Sequence, residues 1–366
     1  MLKTSTFLFI ALLSGTIFWS CNDDLPKDTR FDKQVMVDGY ADLITHSFNE
    51  LGQAIDDLNT QIAAFNNQSS ITEFETIQDQ FLEVVLTFQA ARLFDIGPIK
   101  ANLYMSNMAQ WPSKNAIILS SISGTEVITQ SFVSNLGANQ KGLYGIEFLL
   151  FQDQLNNQDI FELFTSDSNA EKRLAYLKYT AQEIKTIFTD MNALWLDTYK
   201  NEFSEALENG VSGAENRIYN QSITVIDEVI NYIRLANDAF DIDAIAPNED
   251  NLILWNSQYT ATAINHLIAA ISTVYLNNTQ PGLFDHLNFV NAKWEDGILL
   301  ADEIQDKLEN AQSMLSNINN MESAILTNDA NIESLEQELK DILVLYRADM
   351  ASWLSLLLLV GDNDGD

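Results

Sequence analysis

Long segments with helical apolar periodicity constrain this chain more than any other feature. Apolar side chains recur at every third or fourth position, the spacing that one face of a bundled helix requires. Only 5 of the 366 residues are proline, so little interrupts such segments. No alternating strand pattern of useful length is present, and the sequence therefore predicts an all-α fold. The clearest segment has apolar residues at Val37, Tyr40, Ile44, Phe48, Leu51, Ile55, Leu58, Ile62 and Phe65.

The helical segments fall into two groups. In the first group, the opening helix is expected to end near Asn66, Ser70 to cap the next one, and Gly97-Pro98 to end or kink it. A long helix from Asn169 should reach about Leu207. The second group spans Ile218 to Phe240, Leu252 to Leu276, Trp294 to Ile318 and Ile332 to Val360. We expect two packed four-helix-bundle-like domains, residues 33–205 with the motif helix described below and residues 206–366 with an acidic tail.

The N-terminus has the layout of a lipoprotein signal peptide. Residues 1–20 combine Lys3 with an apolar run and precede Cys21, the only cysteine of the chain. Cys21 resembles the lipidation cysteine of bacterial lipoproteins, a free thiol being the alternative, and residues 21–32 form an acidic linker. We expect an outer-membrane lipoprotein of the cell envelope, facing the periplasm or the surface and touching the membrane only through its N-terminal lipid.

The charge excludes some partners. The formal net charge is −33, from 52 acidic and 19 basic side chains. Nucleic acids and anionic lipid headgroups need clustered Lys and Arg, so neither is an expected partner. Cations and cationic surfaces fit better, although acidity can also serve solubility alone.

One stretch, KGLYGIEFLLF from Lys141 to Phe151, has the features of a site. Its Gly142, Tyr144 and Glu147 form a G-x-Y-x-x-E frame in an otherwise apolar segment. On a helix, residues three apart project from the same face, so Tyr144 and Glu147 are candidate ligand or metal-binding residues. The structural alternative is a buried tyrosine bonded to a carboxylate that holds a loop amide.

Three stretches together carry a family resemblance. They are AARLFDIGP from Ala90 to Pro98, the Trp111-Pro112 pair, and KGLYGIEFLLF. In this order and spacing they resemble the imelysin-like family, which includes peptidase M75 and iron-regulated lipoproteins of Bacteroidetes type. The family motif is G-x-H-x-x-E, with histidine at the position of Tyr144. The resemblance implies two helical bundles, a metal or ligand site near the motif helix, and an association with iron or haem uptake.

Tyr144 changes the chemistry that the motif can support. A phenol ligates only when a strongly acidic ion such as Fe³⁺ removes its proton, so zinc is not expected. The cofactor is unknown from sequence, with iron as the candidate and Glu83 and Asp95 as possible further ligands. Trp111 and Pro112 could shape the pocket or plug the end of a bundle.

No catalytic residue is assigned. The three histidines, His46, His266 and His286, form no H-E-x-x-H spacing, and no nucleophile motif or phosphate loop occurs. Our first hypothesis is a lipid-anchored binding protein whose partners are iron, haem or a protein of their uptake. An M75-type metallopeptidase and an acidic interaction scaffold at the cell envelope are the alternatives.

Overall fold

The computed structural model describes residues 30–152, 154–241, 252–318, 320–327 and 329–359. Their regular structure is helical apart from one isolated bridge between Lys293 and Leu299, so the predicted all-α class is confirmed. The predicted signal peptide, Cys21 and the acidic tail after Leu359 lie outside these residues. None of the described helices is both long and apolar enough to cross a membrane.

The first half contains ten α-helices within the described residues. They are α1 (Lys33–Ala64), α2 (Ile71–Ala91), α3 (Gly97–Ala101), α4 (Tyr104–Met108), α5 (Asn115–Ser123), α6 (Gln130–Ser134), α7 (Leu143–Leu150), α8 (Asn157–Thr165), α9 (Ala170–Leu194) and α10 (Lys200–Glu205). Helix α1 packs against α2, α9 and α10, and the shorter α4, α6, α7 and α8 pack on α9.

Sequence patterns account for the first two helices. The nine apolar positions between Val37 and Phe65 are all buried. Ser70 caps α2 as expected, because its hydroxyl accepts from the Glu73 N–H (3.3 Å) while the Glu73 carboxylate accepts from the Ser70 N–H (2.7 Å). Helix α2 ends at Ala91 and continues as a 3₁₀ turn to Phe94, before the expected break at Gly97-Pro98.

The predicted long helix is present with one irregularity. A π-helical turn, Trp195–Tyr199, joins α9 to α10, and α10 ends at Glu205. Trp195 and Tyr199 on this turn are almost fully buried. The turn therefore directs two large aromatic side chains into the protein without ending the helix.

Four helices of the second half pack in a ring. The helices of this half are α11 (Ala214–Asp241), α12 (Thr260–Leu276), α13 (Leu283–Phe289), α14 (Leu300–Ser316), α15 (Met321–Leu326), α16 (Ala330–Val344) and α17 (Ala351–Leu354). The ring is formed by α11, α12, α14 and α16, as the contacts of each with the next show. A π-helical turn, Leu345–Met350, joins α16 to α17.

Three predicted helix boundaries in this half are wrong. The helix expected from Leu252 begins at Thr260, because Leu254 and Gln258 adopt positive φ angles of 57° and 61° in a turn. The helix expected from Trp294 begins at Leu300, after a turn in which Asp296 has a φ of 55°. The last helix ends at Leu354 rather than Val360, since Ser355 has a φ of 53°.

The two halves pack directly against each other. Helix α12 packs on α2, and α11 packs on the 3₁₀ turn Arg92–Phe94 that follows α2. From Lys33 onward the described residues belong to one compact unit. A division into domains at residues 205 and 206 stays a prediction.

Candidate functional site

The motif helix α7 begins at a position that only glycine suits. Gly142 has a φ of +89°, and a Cβ there would lie 2.5 Å from the carbonyl oxygen of Met108. The preceding Lys141 is buried, and its ammonium donates to the Ser134 carbonyl and the Glu183 carboxylate, both at 2.8 Å. These contacts fix the start of α7, whose eight residues are all buried.

Glu147 holds a loop of the second half. Its Oε1 accepts hydrogen bonds from the backbone N–H and the hydroxyl of Ser257, each at 2.9 Å. Burial raises the pKa of the Glu147 carboxyl to about 7, although the Ser257 bonds act in the opposite direction. The bond to a loop amide matches one part of the structural alternative. The other part, a bond from the Tyr144 hydroxyl to this carboxylate, is not present among the hydrogen bonds of the described residues.

Tyr144 faces a cavity between the two halves, here called the Tyr144 cavity. Its volume is about 230 Å³. The side chains that line it come from α2 and the turn after it, from the segment around Trp111, from α7 and from α11. The polar or aromatic residues among them include Arg92, Asp95, Trp111, Tyr144, Glu228 and Tyr232.

An ion pair lines this cavity, between an Arg92 side chain that is 13% exposed and a Glu228 side chain that is 40% exposed. The Arg92 guanidinium pairs with the Glu228 carboxylate and also donates to Gln89 Oε1 at 2.9 Å. Burial raises the pKa of the Tyr144 hydroxyl well above its ordinary value, an effect that nearby Arg92 opposes. Tyr144 is therefore a neutral phenol at physiological pH.

Two polar atoms of the cavity lining are left without a partner. Asp95 Oδ1 and Trp111 Nε1 are buried, and neither has a hydrogen-bond partner among the described residues. Burial raises the pKa of Asp95 to about 6, while Lys100 acts to lower it. A carboxylate acceptor and an indole donor therefore line one cavity with unused hydrogen-bonding capacity.

Of the Trp111-Pro112 pair, only Trp111 lines the Tyr144 cavity. The Trp111 ring meets the Tyr232 ring edge-on, with centroids 5.5 Å apart and an interplanar angle of 79°. Trp111 lines the Tyr144 cavity and also a much smaller neighbouring one with Tyr144 and Glu147, whereas Pro112 lines neither. The Trp111-Pro112 peptide is cis.

The donor set fits a directly coordinated ion poorly. Within the described residues no group of three His, Cys, Asp or Glu side chains is arranged to hold a metal. Asp95 shares the cavity with Tyr144, but Glu83 is exposed on α2 and Glu147 is bonded to Ser257. The Arg92 cation beside Tyr144 also disfavours a second cation there. The geometry favours a molecular ligand.

The histidines lie elsewhere. His46 is exposed, pairs with Glu50 at 3.3 Å and lines a separate cavity with His266, while His286 contacts Glu215 at 2.6 Å.

Sequence reasoning missed three of the residues that define the cavity. Arg92 lies within AARLFDIGP, where an arginine amid apolar residues was a signal that could have been followed. Glu228 and Tyr232 are one turn apart on α11, and only the packing of the two halves brings them to Tyr144. Ser257 lies within the turn that was predicted to be helix, between Leu254 and Gln258.

Comparisons with known proteins agree with this architecture. The family profile of Imelysin (Peptidase_M75) matches residues 44–345. The crystal structure of an imelysin-like protein from Psychrobacter arcticum 273-4 superposes with a TM-score of 0.69 at 15% identity, covering 92% of this chain and 99% of that one. A second crystal structure, from Parabacteroides distasonis ATCC 8503, is described as a "putative iron-regulated protein A precursor" and superposes with a TM-score of 0.72 at 14% identity, covering 91% and 97% of the two chains.

No curated protein sequence gives a significant match. At these identities the two crystal structures establish the shared fold alone, whereas the profile match extends over most of the chain. The chain therefore belongs to the Imelysin (Peptidase_M75) family.

Proposed function

We propose that this protein is a ligand-binding member of its family, anchored in the cell envelope and linked to iron or haem acquisition, which binds its ligand in the Tyr144 cavity. The observation that carries the proposal is the pair of unpartnered buried atoms, Asp95 Oδ1 and Trp111 Nε1, in the lining of that cavity. Buried polar groups are normally hydrogen-bonded, so a lining with two unused groups is suited to a partner that supplies the complementary ones.

The cavity defines the chemistry of the ligand. Asp95 Oδ1 accepts from a ligand donor, and Trp111 Nε1 donates to a ligand acceptor. The rings of Trp111 and Tyr232 offer an aromatic wall on one side. A small polar molecule or the polar edge of a larger one fits this lining better than a bare metal ion.

Two further observations support the cellular setting. The Parabacteroides distasonis protein of the same fold has a description that names iron regulation. The N-terminal run that ends at Cys21 favours a lipid anchor and an envelope location, facing the periplasm or the cell surface.

The test starts with what the purified protein carries. Elemental analysis and absorbance spectra report bound iron, haem or tyrosinate–iron bands, and calorimetric titration with haem and with ferric citrate measures affinity. Trp111→Phe removes the unused donor and Tyr144→Phe removes the hydroxyl, while Tyr179→Phe on α9 is the matched control. We expect the Trp111 variant to lose affinity by about tenfold and the control to retain it.

Other results would redirect the proposal. Equal binding by wild type, Trp111→Phe and Tyr144→Phe would exclude the Tyr144 cavity as the site. Salt-sensitive capture of a cationic partner by a protein without ligand would favour the scaffold alternative. Peptide cleavage that Glu147→Ala abolishes would favour the peptidase alternative.

A further inference from the structure

A second cleft adjoins the Tyr144 cavity on the side of α11. It has a volume of about 330 Å³ and shares Asp95, Gln221 and Glu228 with the Tyr144 cavity. We call it the Arg217 cleft. Its charged lining comprises Lys100, Arg217, Arg347, Asp95, Asp227 and Glu228.

Two of the three carboxylates in this cleft are already neutralised. Arg347 Nη2 lies 2.6 Å from Asp227 Oδ2, and Glu228 pairs with Arg92. Asp95 is the one acidic group of the lining that no described cation holds in an ion pair.

The other two cations lack such partners. Among the described residues, neither Lys100 nor Arg217 forms an ion pair with a carboxylate. Lys100 donates only a long 3.4 Å bond to the Gln221 amide oxygen, and Arg217 donates to the neutral Tyr199 hydroxyl at 2.7 Å. Lys100 acts to lower the pKa of Asp95 and Arg217 acts to lower that of Glu208, but neither cation closes an ion pair with these carboxylates. In a chain with 52 acidic and 19 basic residues, two cations without a close ion pair in one cleft are unusual.

The fold holds Arg217 in place. Its guanidinium lies over the Tyr199 ring, 5.6 Å from the centroid. The Tyr199 ring in turn packs where a side chain on Gly97 would be, so close that a Cβ there would clash with it. Gly97 has a φ of +53°, which suits glycine. Arg217 Nη1 donates to the Tyr199 hydroxyl and so fixes the orientation of the guanidinium. The remaining N–H groups of the guanidinium are available to a ligand.

We infer that the Arg217 cleft binds a carboxylate, with Lys100 and Arg217 as its direct contacts. Both cations are placed to receive one, and Arg217 is oriented before binding. A singly charged carboxylate suits the cleft better than a phosphate dianion, because Asp95, Asp227 and Glu228 repel the doubly charged group more strongly. This inference does not depend on what the Tyr144 cavity binds.

The carboxylate has two possible sources. One is a small soluble acid. The other is an aspartate side chain, and the residues after Leu359, which itself lines the cleft, include Asp362, Asp364 and Asp366. Those aspartates lie outside the described residues, so the experiment is designed to separate the two sources.

The test is calorimetric titration of the purified protein with acetate, a singly charged carboxylate, at low ionic strength. We expect Lys100→Gln and Arg217→Gln each to weaken acetate binding by about tenfold, since each removes a charge-assisted contact. Lys293→Gln, an exposed site away from the cleft, changes the net charge equally and should leave the affinity unchanged. Arg217→Lys keeps the charge and should retain part of the binding, and circular dichroism checks that each variant folds.

A triple variant, Asp362→Asn/Asp364→Asn/Asp366→Asn, identifies the source. Equal acetate affinity in wild type and triple variant indicates a soluble acid, and tighter acetate binding by the triple variant indicates that the chain's own aspartates compete. Both results support the carboxylate site. The proposal is overturned if acetate binds neither protein, or if Lys293→Gln weakens binding as much as Lys100→Gln. Where Arg217→Gln does not fold, Lys100→Gln decides.

Discussion

At the scale of single residues, Gly142 determines where the motif helix begins. Its φ of +89° with ψ of −172° lies in a region that is almost restricted to glycine, and a Cβ would meet the Met108 carbonyl at 2.5 Å. We expect Gly142→Ala to lower the free energy of unfolding by about 2 kcal/mol or more. Urea denaturation followed by circular dichroism measures the change.

Gly145 provides the matched control for that substitution. It lies inside α7, and a Cβ there would make only ordinary contacts, the nearest at 3.6 Å from Ile118. Gly145→Ala should therefore be neutral or stabilising by up to about 1 kcal/mol, as helix propensity predicts. Equal destabilisation by the two substitutions would mean that the backbone at Gly142 is not the cause.

Glu147 links the stability of the fold to pH. Burial raises its carboxyl pKa from 4.5 to about 7, so between these values the folded state binds more protons than the unfolded state. The stability that this group contributes is therefore greatest at low pH and is lost as the pH rises towards 7. Glu215 acts in the opposite direction: burial acts to raise the pKa of its carboxyl, but His286 and Lys33 together outweigh burial and lower it.

The effect of Glu147 can be isolated with Glu147→Gln. The glutamine oxygen can still accept from Ser257, but the side chain no longer titrates. We expect the stability of the variant relative to wild type to increase by about 2 kcal/mol between pH 5 and pH 7.5. Denaturation curves for both proteins across that range provide the measurement, and a pH-independent difference would show that Glu147 does not titrate there.

At the scale of secondary structure elements, two asparagine side chains of α11 hold the non-helical residues 356–359. The Asn216 amide accepts from the Leu357 N–H at 2.7 Å and donates to the Leu357 carbonyl at 2.8 Å. One turn later, the Asn220 amide accepts from the Leu359 N–H at 2.7 Å. These amides replace the helical hydrogen bonds that the segment gives up after Leu354, which explains why the last helix ends before Val360.

The hydrogen bonds from Asn216 to Leu357 predict a local effect on the C-terminal segment. Asn216→Ala removes two hydrogen bonds to a backbone that packing holds only partly, since Leu357 is 54% exposed. We expect faster amide exchange at Leu357 and a loss of about 1–2 kcal/mol in the free energy of unfolding. Asn317→Ala, whose amide bonds only within its own helix, should change neither quantity appreciably. Unchanged exchange in Asn216→Ala would show that the Asn216 side chain does not hold the segment.

The sequence predicts elements better than it predicts how they meet. Periodicity and capping located α1 and α2, because apolar spacing and the Ser70 cap act within one helix. Turns built on positive φ, such as Leu254, carry no local residue signal and were predicted as helix. Tyr144 and Glu147 were identified as neighbours on one face, but their partners could not be predicted, since Glu228 and Ser257 are distant in sequence and reach α7 only through tertiary packing.

At the scale of the whole molecule, both candidate sites lie where the two halves meet. The Arg92–Glu228 pair joins the turn after α2 to α11, and Glu147 joins α7 to the Ser257 loop. The Arg217 cleft also lies at this contact between the two halves. Its lining includes Lys100 of α3 in the first half and Arg347 in the second half, near the C-terminal end of the described residues. A ligand at either place would contact both halves, so binding should stabilise their association.

The net charge of −33 predicts that the thermal stability of the protein depends on salt concentration. Repulsion among surface carboxylates opposes the compact state, and salt screens exposed charges more than buried pairs such as Lys141–Glu183. We expect the melting temperature to rise by about 3 °C when NaCl increases from about 20 to about 300 mM. Choline chloride should have the same effect, because screening depends on ionic strength and not on the identity of the cation. A rise with sodium alone would indicate specific cation binding, and a fall would mean that attractive surface pairs outweigh the net repulsion.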